Sequence, residues 1–472
     1  MHPILTFLLI FCLTFNLLAQ SDEFANKKIK SSNDDLDLLP ASFHQSKRDA
    51  IRQFLPDSSV AIFFSNSVTN RSNDVDYPFH QNPDFYYLTG LREPDAVLFI
   101  FKEDIQFQGI STNEILFLRE IDNNNIIWNG KMLGTQGAKG TLKIKQAYSN
   151  QALYDIKLDW ENIEKFYIIR DERGHHNDGN NPNDLFSLKD VLFKKFDYNK
   201  IKPNDTFLKF KMAELREIKS KEELKLLVRA IDITVEALKE TIKSAKSGMK
   251  EYEFQAMIEY YFKKNGAESW GFPSICGSGE NGCILHYINN RKTTQETDLI
   301  ILDVGAEYHG YTADITRTIP VKGTFSKEQK IIYDIVLEAQ NAGIAQCKPG
   351  NKFWAPHKAA SAVIEKRLRE LGLIENTNEL RRYFMHGTSH YLGLDVHDAG
   401  TNNFLRAGNV ITVEPGIYIP EGSPCDKKWW NIGVRIEDDI LITEYGHEIL
   451  SGKLPRKSEE IENLIKEKGF FE

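Results

Sequence analysis

Cysteine is scarce, with five in 472 residues and none in a C-x-x-C pair. That count excludes a disulfide framework, a zinc ribbon and a thioredoxin-like motif. Positive charge is also short, with 59 Lys and Arg against 67 Asp and Glu and a net charge of −8. A chain-wide attraction to nucleic acid or anionic lipid therefore has no basis. No short-period repeat is visible, which removes solenoids and propellers. With 41% hydrophobic and 27% charged residues, the composition is that of a soluble globular protein rather than a disordered or multi-span membrane chain. The length is about three times the ~150-residue domain unit, so two or three domains are expected.

Charged side chains are missing altogether from the first 21 residues, and Ile4–Ala19 is a nearly continuous apolar run. Its length matches a signal-peptide core and falls short of the ~18 residues of a membrane span. Ala19-Gln20-Ser21 supplies the small residues of a cleavage site. Residues 1–21 are expected to be a cleaved signal peptide that exports the protein to a periplasm or the exterior, with a polar linker over 22–40. An uncleaved anchor or a buried helix is the alternative, because His2 stands where Lys or Arg is usual.

Residues 41–210 carry short β-rich runs (Val60–Phe64, Ala96–Phe101, Glu114–Leu118) among polar and helical stretches, the pattern of an α/β domain. No catalytic cluster is evident there. His175 and His176 sit in a Gly/Asn/Asp loop and read as solvated residues. From Glu214 to Lys243 apolar residues recur every three or four positions, predicting one amphipathic helix and a second domain over 211–472. Strand runs at Leu299–Leu302, Val410–Val413 and Ile432–Ile436 are interspersed there with a helix from Lys327 to about Gln346.

Several motifs in this second half carry chemistry. Gly277–Gly282 spells G-x-G-x-x-G, but Cys283–Ile288 reads as strand where a nucleotide fold needs a helix, so a tight loop positioning His286 is expected. Asp303 ends an apolar strand, and a hairpin turning at Tyr308-His309 would pair positions summing to 617, setting Asp303 opposite Asp314. Two like charges so placed repel unless a cation lies between them. Glu414 and Glu437 likewise end apolar strands, and Arg435 shares a strand face with Glu437. Asp438 and Asp439 are expected at a turn or rim. Of His386, His390 and His397, the first two have the spacing of a zinc-protease helix, but Gly387 replaces the required Glu. Four carboxylates with one histidine suit oxygen-seeking divalent cations such as manganese, and four negative charges match two dications. Two metals about 3.5–4 Å apart can acidify a water held between them and stabilise the oxygens of a hydrolysis.

These motifs, in order, resemble the pita-bread metallopeptidases and within them the aminopeptidase P (Xaa-Pro aminopeptidase) family: GSGENGCILHY at 277–287, LDVGAEYHGYTADITRTIPV at 302–321, MHGTSHYLGLDVHDAG at 385–400, VITVEPGIYI at 410–419 and GVRIEDDILIT at 433–443. RSNDVDYPFHQNPDFYYLTGLREPDAVL at 71–98 is similar to that family's N-terminal domain. The resemblance implies an α/β N-terminal domain over 41–210 followed by an α+β pita-bread catalytic domain over 211–472. It implies two divalent metal ions, Mn2+ foremost, held by Asp303, Asp314, His390, Glu414 and Glu437, with Asp314 and Glu437 bridging. It also implies that His286 and His397 line the site, that Arg435 supports it, and that Glu414 takes a proton from the attacking water. The reaction implied is release of an N-terminal residue joined to proline, from peptides with proline in second position. A homo-oligomer, dimer or tetramer, is implied as well, with Trp128 reaching a neighbour's active site. Trp270-Gly271-Phe272-Pro273 departs from the family spelling. Prolidase, methionine aminopeptidase and a metal-free peptide-binding module are the alternatives; HGTSH, the long N-terminal domain and the intact donor set weigh against them respectively.

Overall fold

The computed structural model describes residues 37–121, 126–128, 130–156, 163–169, 184–195 and 205–471. The proposed signal peptide, most of the linker, and His175 and His176 lie outside these. Residues 39–472 form one unit.

The N-terminal half is built on helix α1 (Ala41–Phe54), strand β1 (Ser59–Phe64), helix α2 (Pro83–Thr89), and strands β2 (Val97–Phe107), β3 (Ile110–Leu118), β4 (Gln146–Ser149) and β5 (Lys165–Ile168). The strands make one sheet in the order β4-β3-β2-β1-β5, antiparallel at its centre and parallel at both margins. Every residue of β1 is buried, and alternate side chains enter different cores. Val60, Ile62 and Phe64 join Phe99, Phe101 and Phe117 on one face, while Ala61 and Phe63 join the core shared with the C-terminal half on the other. Two covered faces explain why the sequence reads as an unbroken apolar run. Helix α2 starts at Asn82, whose side chain accepts from Phe85 N–H, with Pro83 at its first position.

Helix α3 (Asp205–Arg216) contains the expected domain boundary at 210–211. The single helix expected over 214–243 is in fact two, because the chain breaks at Glu217–Ser220 before α4 (Lys221–Lys243). Ser220 accepts from Glu223 N–H while the Glu223 carboxylate accepts from Ser220 N–H, a capping box that starts a new helix. Leu215 and Ile218 kept the apolar rhythm in phase across the break.

The C-terminal half continues with α5 (Glu251–Lys264), β6 (Ile275–Ser278), β7 (Leu299–Val304), β8 (Ala306–Tyr308), β9 (Tyr311–Thr312), β10 (Ile315–Pro320), α6 (Lys327–Ile344), α7 (Ala355–Glu370), β11 (Val410–Val413), β12 (Gly416–Ile419), β13 (Ile432–Arg435), β14 (Asp438–Ile442) and β15 (His447–Ile449). Strands β10-β7-β6 and β11-β14-β15 form two small sheets, and β12-β13 form a ribbon. The segment after β6 is a 3-10 turn (Gly279–Cys283), not the strand expected over Cys283–Ile288. Gly279 takes φ +55° and turns the chain away from the sheet.

The hairpin also differs by one step from expectation. Asp303 pairs with Thr316 and Tyr308 with Tyr311, so paired positions sum to 619 and the turn residues are His309 and Gly310. Both have positive φ, 50° and 84°, as a two-residue type I′ turn requires, and glycine takes the second place readily. Asp314 therefore lies diagonal to Asp303 rather than directly opposite, and still on the same face.

Candidate metal centre

Strand ends from three structural units converge on one buried pocket of acid. Asp303 closes β7, Asp314 precedes β10, Glu414 follows β11 and Glu437 follows β13. Alternate threonines of β10 fasten the β13 strand beside it. Thr318 Oγ donates to Arg435 O at 2.8 Å and accepts from Arg435 N–H at 3.0 Å. Thr316 Oγ donates to Glu437 Oε2 at 2.6 Å, and Glu437 N–H donates to Thr316 O at 3.1 Å. The His386–His390 segment runs extended along β11, with Thr412 N–H donating to His390 O at 3.0 Å and Glu414 N–H to Thr388 O at 2.9 Å. An extended segment puts residues four apart on one side. His386 and His390 thus both face the acids without being helical.

Of the five expected ligands, Asp314, His390 and Glu437 offer donor atoms all within 4.8 Å of one another. Glu414 joins through His390, whose Nε2 is 3.5 Å from Glu414 Oε1 and 3.3 Å from Asp314 Oδ2. Asp303 joins through Arg435, which donates to its Oδ2. His390 Nδ1 lies 3.1 Å from Tyr391 O and must carry the proton there, since a carbonyl only accepts. Its Nε2 faces the two carboxylate oxygens, the placement of a metal-ligating nitrogen whose other ring nitrogen is held by a carbonyl.

Among the described residues, Arg435 is the guanidinium set against Asp303, Glu414 and Glu437. Burial, then Asp303, Asp439 and Glu414, push the Asp314 carboxyl well above its ordinary range, and burial with Asp314 does the same to Glu437. Glu414 is raised to about 7 by loss of solvent, against the pull of His390 and Arg435. Asp303 Oδ1 and Asp439 Oδ1 are buried with no hydrogen-bond partner among the described residues. Orphaned oxygens, crowded acids and an aimed imidazole together fit divalent cations with a preference for oxygen donors.

His397 stands beside this centre, its ring 4.4 Å from that of His390 and edge-on to it. His286 is exposed on the loop after β6 and close enough to depress the basicity of His386 and His397. The loop is anchored by Glu251, fully buried at the start of α5. It accepts from Ser278 N–H and Oγ, Asn281 Nδ2, Tyr287 Oη and Lys292 N–H, all between 2.8 and 3.0 Å.

Four features were not legible as site residues. His386 donates from Nδ1 to Gly387 O at 2.7 Å, so its Nε2 accepts from Tyr418 Oη at 2.8 Å. Arg435 Nη1 in turn donates to Tyr418 Oη at 2.9 Å, and burial with Arg435 nearby holds the His386 pKa down to about 4. Asp439, expected at a rim, is completely buried and accepts from Asp314 N–H through Oδ2 at 3.2 Å. Asp438, likewise expected at a rim, is buried in β14 opposite Val413. It receives Arg317 Nη2 and Gln340 Nε2, both at 2.8 Å, and Ser451 Oγ at 2.6 Å. Arg317, a lone cation inside an apolar strand, was the signal that a buried acid partner existed.

Trp128 is 84% exposed, so it is not part of the core.

The model of metallopeptidase family M24 matches residues 225–444, and that of the aminopeptidase P N-terminal domain matches residues 44–162. The Xaa-Pro aminopeptidase of Escherichia coli (strain K12) is 36% identical over 441 residues, covering 90% of this chain and 97% of the relative. Xaa-Pro aminopeptidase 3 of Homo sapiens is 32% identical over 432 residues, covering 89% and 83%. Among solved structures, aminopeptidase P from E. coli with the inhibitor Pro-Leu aligns with a TM-score of 0.81 at 34% identity, over 91% of this chain and 98% of that one. The Zn-substituted E. coli enzyme in complex with product gives 0.80 at 35% identity over the same shares. Both domain models in chain order, and relatives above 30% identity matched over most of their length, place this chain in the aminopeptidase P family of M24 metallopeptidases.

Proposed function

We propose that the chain is a metal-dependent aminopeptidase that hydrolyses the bond between an N-terminal residue and a following proline. The observation that carries this reading is the buried Asp314/His390/Glu437 cluster with Asp303 and Glu414 beside it, in a chain whose relatives are Xaa-Pro aminopeptidases. Asp303, Asp314, His390, Glu414 and Glu437 would hold two divalent ions, manganese fitting the oxygen-rich set best. When bound, the ions would supply the charge that acidifies a water and stabilises oxygen charge during hydrolysis.

The chain's own groups do the rest. Glu414, its Oε1 3.5 Å from His390 Nε2 at the heart of the cluster, is placed to take the proton of the attacking water. His386 is kept neutral and fixed by Gly387 O and Tyr418 Oη, so Nδ1 is a donor and Nε2 an acceptor in a set geometry. Arg435 neutralises Asp303 and orients Tyr418. His286 and His397 flank the cluster from exposed loops, where they can meet substrate. A peptide bond to proline lacks the N–H that general peptidases grip, which makes a dedicated site necessary.

The deciding experiment is product analysis on an Xaa-Pro dipeptide beside an Xaa-Pro-Yaa peptide, with metal content measured on the same sample. Release of the first residue from the longer peptide is expected. Cleavage confined to dipeptides would make the protein a prolidase, and no cleavage with full metal content would overturn the reading.

Two further properties belong to the same proposal. The exposed Trp128 supports a homo-oligomer in which it meets a neighbour's active site; Trp128→Ala is expected to slow turnover of long peptides, and a fully active monomer would refute it. The uncharged apolar run Ile4–Ala19 supports export with a mature N-terminus at Asp22, and an intact Met1 chain in the cytosol would refute that.

A further inference from the structure

His397 is exposed, in the loop that joins the extended segment paired with β11 to β11 itself. Its neighbour Asp398 is buried and carries two cations, Arg216 on Oδ1 and Lys219 Nζ on Oδ2 at 2.8 Å. The other arm of Arg216 donates through Nη1 to Asp84 Oδ1 at 2.6 Å. Asp84 is in the first turn of α2, in the α/β half. Two anions and two cations thus alternate in a lattice, buried except for half-buried Asp84, that ties α2, the junction between α3 and α4, and the His397 loop together.

Adjacent contacts hold the same junction in place. Lys219 N–H donates to Gly408 O at 2.8 Å, and Tyr87 Oη from α2 donates to Leu215 O at 2.8 Å. Glu217 accepts from Thr401 N–H at 2.7 Å and Thr401 Oγ at 2.9 Å. A Cβ at Gly393 would lie 2.2 Å from Asp398 Oδ2 and 2.9 Å from Lys219 Cε, so any side chain there would displace these members of the lattice. On the far side, the His397 ring rests against His390.

Buried ion pairs contribute little net stability, because desolvation offsets attraction. What a lattice with fixed partners does supply is direction. We propose that Asp84, Arg216, Asp398 and Lys219 are positioning residues through which the α/β half sets the placement of His397 in the active site. This deepens the peptidase reading above and rests on it for its kinetic arm.

The test is a double-mutant cycle on the full, metal-loaded protein: Asp84→Asn, His397→Ala and the pair, each assayed for kcat and KM on an Xaa-Pro-Yaa peptide. Asp84→Asn is expected to lower kcat by about three- to tenfold, the range for residues coupled to a site without touching its ligand. In the His397→Ala background the same change should have no further effect. An additive loss there would mean the lattice acts on the fold alone, and unchanged kinetics in the single variant would equally overturn the proposal. Should Asp84→Asn fail to fold, Arg216→Lys enters the same cycle with the same outcomes, keeping the charge and losing the two-armed geometry. If the unsubstituted protein hydrolyses no Xaa-Pro peptide, the peptidase reading fails by itself. The lattice is then judged by the His397 ring resonance in NMR spectra, identified by its loss in His397→Ala. That signal should move in Asp84→Asn while the His447 signal stays, and an unmoved His397 signal refutes positioning.

Discussion

Strand β1 of the N-terminal sheet and strand β10 of the catalytic half are both completely buried, yet one reads SVAIFF and the other ITRTIP. Hydrocarbon covers both faces of β1. On β10 the burial is of Thr316, Arg317 and Thr318, each answered by a named partner on Glu437, Asp438 or Arg435. Burial is therefore not one condition. In the first region it is favourable by default, about 25 cal/mol per Å² of apolar surface. In the second it holds only where every polar atom has a counterpart. Asp303 Oδ1 and Asp439 Oδ1 lack one. Beside crowded carboxylates, those two orphaned oxygens fit a site that takes a cation.

The contrast breaks most sharply at Asp314. Asp314→Asn is expected to leave the protein folded, remove most bound metal and lower kcat/KM by about a thousandfold, several kcal/mol of charge stabilisation. Elemental analysis beside peptide hydrolysis reads both, and a variant with full metal and full turnover would refute the assignment. Ile62→Ala is the reverse case, with a cost of about 2–4 kcal/mol in unfolding free energy from a filled apolar site and metal content unchanged. Denaturant titration measures it; altered metal binding at equal stability would show that the two regions are not separable.

The two regions also carry opposite pH signatures. His44, buried in the α/β half with Nδ1 3.0 Å from Tyr87 O, has its pKa lowered by burial to about 4. The unfolded chain binds that proton near 6.5, so stability falls as pH drops from there toward 4, by about 3 kcal/mol at the limit. His44→Gln should flatten the acid side of the profile; an unchanged slope would exonerate His44. The acids around the metal centre behave the other way. Their pKa values are raised, so their contribution to the stability of the metal-free protein is fully present below the ordinary carboxyl range near pH 4 and is lost as pH rises from there through the folded-state values, about 7 for Glu414. Cation uptake at pH 7 should consequently expel about one proton or more, visible as a buffer-dependent heat in titration calorimetry. Equal heats in two buffers of different ionisation enthalpy would contradict the crowding argument.

The same contrast explains what could be read in advance. Apolar runs announced β1, β7 and β11 because a row of hydrocarbon has one explanation. Site carboxylates at the ends of such runs were legible for the same reason, and the motif order supplied their company. Asp438 and Asp439 were misplaced because adjacent charges resemble a turn until Arg317 and the Asp314 backbone come within reach, and those contacts span 121 and 125 residues. His386 was set aside by testing its spacing against a helix, when the chain there is extended. The helix break at Glu217–Ser220 was hidden by an in-phase rhythm, although Ser220-Lys221-Glu222-Glu223 spells a capping box. Local chemistry was visible; partners distant in sequence were not.

The turn at His309-Gly310 has an evolutionary corollary. Asp303 and Asp314 face the same way because they are separated by an odd count across a two-residue reversal, and the pairing sums of 617 and 619 preserve that relation equally. A slip of the pairing by one residue would send one aspartate to the opposite side of the sheet, whereas a longer turn at 309–310 leaves both in place. Insertions and deletions within the paired arms, 304–308 and 311–313, should survive selection in twos and be purged in ones, so a length-variant library of these arms, sorted by growth or activity, would retain a comb of even steps.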